Sequence, residues 1–432
     1  RLPEGLDLAR KCLVVDLEVI ADNYKAFTRA MPDTRIFYAV KANPAPEVLK
    51  LLADLGSCFD TASVAEIEMA LAAGATPERI SYGNTIKKER DVARAHQLGI
   101  SMFAVDCVEE VKKVSRAAPG ARVFCRILTD GAGAEWPLSR KFGCDPDMAT
   151  EVLLHAHALG LKAYGISFHV GSQQTRLGAW DSALAEAKSI FDSLAGHGIT
   201  LSMVNLGGGF PTKYLKPVPG TATYANAIHD GLAKHFGNAI PETIIEPGRG
   251  MVGNAGVIKA EVGLVSKKHA NDNVRWVYLD IGKFGGLAET MDEAIRYPIT
   301  TAKDGSPMEL CVIAGPTCDS ADVLYEKNPY PLPLSLSIDF LRLDKEQLVG
   351  ADLHRVVFED RIVHHADPRR QEIVVIILSH VGQAKKSIAQ LSDFRTDVHC
   401  QRLEFAFSHA KLRFAAGDTG LALIENRKLD AK

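Results

Sequence analysis

The sequence predicts an α/β protein: a (β/α)₈ barrel of the TIM type followed by a mainly β second domain. Three observations predict it. Between about residues 35 and 250, short apolar runs alternate with amphipathic helical stretches. Each run stops at a polar or glycine-containing turn. From about residue 256 the texture changes to Val/Ile-rich segments with polar turns, such as "GVIKAEVGLVSKK" and "VRWVYLDIG".

Eight runs read as barrel strands: IFYAV, SCFDT, ISYGN, MFAVD, VFCRI, AYGISFHV, SMVNLGGG and TIIEPG. Eight strand–helix units close a barrel more naturally than they build an open sheet. Between them, Ala65–Ala73 and Met148–Leu159 read as helices. Ahead of the first barrel strand, "KCLVVDLEVIADNYKAFTRAMP" holds a strand-like run and then a helix with Val19, Ile20 and Tyr24 on its apolar side. The expected organisation is an N-terminal segment over 1–34 that contributes to the β domain, a barrel over 35–255, a β domain over 256–338 and a tail over 339–432.

Bulk properties narrow the function. A chain of 432 residues is long enough for a large barrel and a second domain. Its net charge of −3 gives no electrostatic case for nucleic acid or an anionic membrane. No apolar run is long enough to span a bilayer. The eight cysteines are scattered with no CxxC pair, which suits a reduced, cytosolic setting better than a disulfide framework or a metal site. "RLPEGLDLARKCLVV" lacks a signal-peptide layout and an initiator methionine, so a short leading piece is expected ahead of it.

The polar residues carry the functional signal. Lys41 ends "RIFYAVKANP", an otherwise apolar run. Asp60, Arg126, His169, Glu246 and Arg249 also fall at or just after strand ends. In a (β/α)₈ barrel those ends share one rim, where the chemistry sits. "LGGGFP" follows strand seven and "EPGRG" follows strand eight, positions from which glycine N–H groups and an arginine can hold phosphate. Taken singly, each feature has a plain explanation. A strand-end lysine is usually solvated, a lone histidine is usually structural, GGG marks a tight turn, and Glu246 with Arg249 could form a rim ion pair. Together they match the needs of an aldehyde cofactor bearing phosphate. The lysine forms a Schiff base, a carboxylate pairs with the pyridinium nitrogen, His169 lies against the ring and Ser172 reaches the phosphate.

"FYAVKANP", "FDTAS", "SFHVGSQ", "LGGGFP", "EPGR" and "GPTCDSAD" resemble, in order, the motifs of the pyridoxal-phosphate decarboxylases with the alanine-racemase fold, nearest to the ornithine decarboxylases and bacterial lysine/ornithine enzymes. The resemblance covers about residues 12 to 337 and implies the barrel-plus-β fold. It implies that Lys41 carries the cofactor, with Asp60 nearby, Arg126 and His169 flanking the ring, and Glu246 on its nitrogen. Ser172, Gly209, Gly248 and Arg249 would bind phosphate. Cys318 and Asp319 would complete the neighbouring subunit's site, Cys318 directing protonation and Asp319 meeting the substrate's distal amine, in a head-to-tail homodimer. Alanine racemases place an arginine at the ring nitrogen, so Glu246 points to decarboxylation. Ornithine to putrescine is the expected reaction, with lysine to cadaverine alongside. Where eukaryotic ornithine decarboxylases have an acid after the motif tyrosine, Tyr297 is followed by Pro298, which makes Asp292 and Glu293 the nearby candidates for the distal amine. Diaminopimelate decarboxylases share related motifs but usually have Cys-Glu-Ser where this chain has Cys318-Asp319-Ser320.

The match stops at about Asp339. Gly350-Ala351 fall where a Gly-Ala-Tyr motif is expected, with Asp352 in place of the phosphate-binding tyrosine, and no Phe-Asn-Gly motif follows. A changed reading frame or a replaced segment would produce this break. The tail is expected to lack the family's closing strands, with "EIVVIILSH" either a strand or an exposed run prone to aggregation. The alternatives are a non-catalytic homologue that only binds partners, as antizyme inhibitors do in this family, and a diaminopimelate decarboxylase.

Overall fold

The computed structural model describes residues 11–136, 140–336, 340–344, 374–378, 406–407 and 410–411. The chain opens with β1 (Cys12–Asp16), which runs directly into helix α1 (Leu17–Ala30). Asp16 starts that helix by accepting the Glu18 backbone N–H at 2.9 Å. Eight parallel strands then close a barrel: β2 (Thr34–Ala39), β3 (Cys58–Thr61), β4 (Ile80–Tyr82), β5 (Met102–Val105), β6 (Arg122–Arg126), β8 (Lys162–Ser167), β10 (Met203–Asn205) and β11 (Glu242–Ile245). Two short strands off the barrel, β7 (Ala134–Trp136) and β9 (Ser172–Gln174), pair above the rim. All eight runs that read as barrel strands in the sequence are barrel strands.

Helix boundaries follow the capping residues rather than the apolar pattern. The helix read as Ala65–Ala73 spans Val64–Ala72, because Ser63 accepts the Glu66 N–H and Glu66 reaches back to the Ala62 N–H at 2.6 Å. The helix read as Met148–Leu159 spans Pro146–Ala158. Asp145 caps it, and Pro146 supplies the fixed φ and missing N–H that suit a first turn.

The barrel carries two apolar layers. Ile36, Tyr38, Phe59, Phe103 and Ile245 face outward and pack against the helices. Phe37, Cys58, Met102, Phe124, Met203 and Ile244 form a separate cluster, on the opposite face of the same strands, that fills the interior. Above strand seven, Trp180 is fully buried between Phe210 and Tyr224, and its indole N–H donates to the Leu206 carbonyl at 3.2 Å.

The second layer of the molecule is an eight-stranded sheet. Its long strand β12 (Gly256–Ser266) pairs with β1, with β13 (Arg275–Leu279) and with β17 (Phe340–Asp344). β14 (Ile299–Thr301), β15 (Met308–Ala314), β16 (Val323–Pro333) and β18 (Val374–Leu378) complete it. The N-terminal strand thus joins the β sheet. In the tail β17 lies on β12, and "EIVVIILSH" takes the strand alternative: β18 runs parallel to β1 within it. Apolar, β-branched stretches find ladder partners irrespective of motif identity. Gly350, Ala351 and Asp352 lie outside the described residues. Within 381–432, Ala406–Phe407 and Ala410–Lys411 form a short antiparallel pair.

Candidate active site

Strand parity explains why polar side chains meet at the rim. Side chains two apart share a face. Phe37 points inward, so Ala39 does too. Cys58 points inward, and so does Asp60. The same step leads from Phe124 to Arg126, from Met203 to Asn205 and from Ile244 to Glu246. The ladder sets these at one level: Ala39 pairs with Asp60, and Ser167 pairs with both Arg126 and Asn205. The apolar interior therefore ends in a polar floor, open at the C-terminal rim.

Lys41 stands over that floor. It is not the last residue of its strand, as the sequence suggested. β2 ends at Ala39, and Lys41 lies in a single 3₁₀ turn, Val40–Ala42. The Asn43 side chain steadies the following loop by accepting the Ala45 N–H at 3.0 Å. Lys41, Asp60, His169, Ser172, Gly209, Glu246, Gly248 and Arg249 line one cavity of about 260 Å³. Arg126 flanks it behind Asp60 and Glu246, with its guanidinium 5.3 Å from the centre of the Phe142 ring.

The floor is electrostatically tense. Withdrawal from water, and then the charge of Asp60, push the Glu246 carboxyl up to about 8, against the pull of Asn205, Arg126 and Lys41. The Asn205 amide donates to Glu246 Oε1 and accepts the Gly207 N–H at 2.9 Å. Asp60 is likewise raised by burial, with Lys41 and Arg126 pulling the other way. Gly83 makes room for it, since a Cβ there would sit 1.9 Å from Asp60 Oδ1. Burial and the charges of Arg126 and Lys41 push His169 down to about 3, so its ring is neutral. Its Nδ1 accepts the Gly171 N–H at 3.0 Å, which leaves the ring proton on Nε2.

The opposite end is built for an anion. Gly209 turns at φ +98°, and a Cβ there would lie 2.6 Å from the Gly171 carbonyl. Gly248 immediately precedes a short helix, Arg249–Val252. The Arg249 guanidinium donates to Ser172 Oγ, to Tyr214 at 2.7 Å and to both oxygens of Glu289 at 2.8 and 2.5 Å. Burial works against the charged guanidinium, but the charges and hydrogen bonds of Tyr214 and Glu289 outweigh it and leave the proton affinity of Arg249 raised.

Not every residue singled out in the sequence lies here. Asp292 is on the surface, 3.5 Å from the Lys327 ammonium. Glu293 faces a turn, where it accepts the N–H groups of Glu326, Lys327 and Asn328 and pairs with Arg296. Both have positive φ, so the chain bends their side chains away from the cavity. Tyr297 is buried beside Tyr214 and donates to Glu289 at 3.1 Å. Cys318 and Asp319 are exposed on the loop between β15 and β16, outside this chain's own cavity. Asn205, Tyr214 and Glu289 were missed in the sequence. Asn205 could have been found, because it stands in inward register two residues after Met203.

Comparison with known proteins decides the family. Residues 17–253 match the profile described as the pyridoxal-binding domain of the pyridoxal-dependent decarboxylases. The chain belongs to that family. A lysine/ornithine decarboxylase of Selenomonas ruminantium is 35% identical over 315 residues, covering 72% of this chain and 78% of that one. Antizyme inhibitor 2 of Xenopus laevis is 32% identical over 374 residues, covering 82% and 81%. The Selenomonas ruminantium lysine decarboxylase structure with pyridoxal phosphate and cadaverine superposes with a TM-score of 0.71 at 32% identity, covering 80% of this chain and 88% of that one. The cofactor of this pyridoxal-dependent decarboxylase is pyridoxal phosphate, and the cavity fits it. A cationic arginine and glycine turns at one end suit the phosphate. A buried carboxyl of raised proton affinity at the other suits a protonated ring nitrogen. Among the described residues no His/Cys/Asp/Glu group could hold a metal ion, and no helix is long and apolar enough to cross a membrane.

Proposed function

We propose that this decarboxylase acts on a basic amino acid, chiefly L-ornithine, releasing putrescine and CO₂, and that it also accepts L-lysine, releasing cadaverine. The observation that carries the reading is Glu246. A carboxyl at the floor of the pocket, with a proton affinity poised near neutrality, holds a proton at the cofactor's ring nitrogen. When bound, the cofactor supplies the sink for the electron pair left as the Cα–carboxylate bond breaks. One proton is taken up at Cα for each CO₂ released.

Lys41 would hold the cofactor through its side-chain amine. Neutral His169 would lie against the ring without adding a positive charge. Gly209, Gly248, Ser172 and Arg249 would hold the phosphate, while Arg126 balances the charge of Glu246 and Asp60 keeps its proton affinity raised. Cys318 delivers the Cα proton and Asp319 receives the distal ammonium, both from the partner subunit of a head-to-tail homodimer. Their exposure on a loop, away from their own cavity, supports that arrangement. The similarity to lysine/ornithine decarboxylase supports the substrate class.

A second reading, a partner-binding protein without turnover, is favoured by the similarity to antizyme inhibitor 2. One assay separates the two. The purified protein with pyridoxal phosphate is expected to release CO₂ fastest from ornithine, then from lysine, and not from diaminopimelate. Lys41→Ala should lower turnover by at least on the order of 10³-fold and remove the near-visible absorbance of the bound cofactor. Absence of CO₂ from all three substrates would count against the catalytic reading and favour the partner-binding one.

A further inference from the structure

Arg249 has five N–H donors, and all five are engaged. Nε and one Nη2 hydrogen are directed to Ser172 Oγ at 3.2 and 3.1 Å. One Nη1 hydrogen goes to the Tyr214 hydroxyl at 2.7 Å. The remaining two take the Glu289 carboxylate as a fork, at 2.8 and 2.5 Å. The guanidinium that should receive the phosphate is therefore already chelated by an anion of this same chain. Glu289 lines the cofactor cavity, and its side chain is 42% exposed. It also has a second anchor in the buried Tyr297 hydroxyl, at 3.1 Å.

To receive a phosphate oxygen, Arg249 must release at least one present partner. Ser172 and Tyr214 are neutral and tolerate a neighbouring anion, and each can itself donate to phosphate. Glu289 is the charged partner. A phosphate carrying close to two negative charges repels it across a shared guanidinium in a partly desolvated site. The tyrosine gives the carboxylate an alternative donor that needs no large backbone movement.

We propose that Glu289 competes with the cofactor's phosphate group for Arg249 and so weakens the hold of the pocket on the phosphorylated cofactor. Glu289 is then a tuning residue: its carboxylate neutralises Arg249 before loading and is displaced from the fork by loading. The inference rests on the reading of Arg249 as the phosphate ligand.

The test compares pyridoxal phosphate with pyridoxal, which lacks the phosphate, by titrating apoprotein and following the near-visible absorbance of the bound cofactor. In Glu289→Gln the phosphorylated cofactor should bind roughly tenfold more tightly, the scale of one charge-assisted contact, with pyridoxal unchanged. Glu289→Asp keeps the charge but shortens its reach, and should shift affinity in the same direction by less. The half-exposed position leaves no core cavity in either variant, and apoprotein melting temperatures check this. Unchanged or weaker binding of pyridoxal phosphate to Glu289→Gln would overturn the proposal, since the carboxylate would then merely orient the arginine. Equal tightening for both ligands would overturn it as well. Arg249→Ala separates the two layers of the argument. If it leaves the preference for pyridoxal phosphate over pyridoxal intact, Arg249 is not the phosphate ligand. If it abolishes that preference while Glu289→Gln has no effect, the ligand reading stands and the competition does not.

Discussion

The two ends of the pocket solve opposite problems. At the floor, the carboxyls of Glu246 and Asp60 are withdrawn from water, and each is destabilised as an anion by the same burial that positions it. At the phosphate end, Arg249 is satisfied on every side, by a hydroxyl, a phenol and a carboxylate. The floor thus holds stored electrostatic tension that a protonated ring nitrogen relieves, whereas the arginine end holds an interaction that must be exchanged. The barrel alone makes the floor. The arginine end needs Glu289 and Tyr297, which lie beyond the last barrel strand.

Glu246→Gln should break this contrast most strongly. An amide cannot hold a proton on the ring nitrogen, so kcat should fall by about 10²–10³-fold, the range for one positioned proton-handling group, while cofactor absorbance persists. The same variant tests the tension itself. In the wild-type apoprotein the folded carboxyl sits at about 8, above its ordinary 4.5, so the folded state binds the extra proton. Its stability should fall as pH rises from about 4.5 to about 8 and then level off. Melting curves of Glu246→Gln should lack that slope.

Arg249→Ala comes next. Loss of a guanidinium contact to phosphate should weaken pyridoxal phosphate binding by about 10–100-fold, measured by titration, and leave the pH slope of stability unchanged. Asn205→Ala removes the amide that favours the Glu246 anion. It should push the Glu246 carboxyl higher and shift the alkaline limb of the stability profile upward. A loss of about 1–3 kcal/mol for a hydrogen bond to a buried charged group is expected in melting experiments at high pH. The smallest effect is expected at Asp292. Its exposed side chain faces Lys327, and Asp292→Ala should leave KM for ornithine unchanged and stability within about 0.5 kcal/mol.

The barrel was legible because its strands obey local rules. Each is a short run of apolar residues, ended by the polar or glycine residue that the rim requires. That is why Lys41, Asp60, His169, Glu246 and Arg249 could be picked out as strand-end residues, and the cavity does bring them together. What escaped was set by distance or by turn geometry. Glu289 lies in "GGLAETMDE", a segment with no motif character, and its pairing with Arg249 spans 40 positions. Asp292 and Glu293 looked close to the site through their neighbour Tyr297, but two successive positive-φ residues turn them outward. In the tail, β18 was legible as the strand alternative for "EIVVIILSH", whose β-branched residues suit a ladder edge, whereas β17 has no β-branched residue to mark it.

The division of the pocket between two stretches of chain has a consequence for synthesis. Every residue of the floor, and Arg249 itself, precedes Gly256, so a ribosome delivers them before the carboxylate that chelates the arginine. For the time needed to translate from Arg249 to Glu289, 40 positions on, the nascent chain carries an arginine without its internal anion. On the proposed competition, the finished chain is the form in which the cofactor must displace a resident carboxylate.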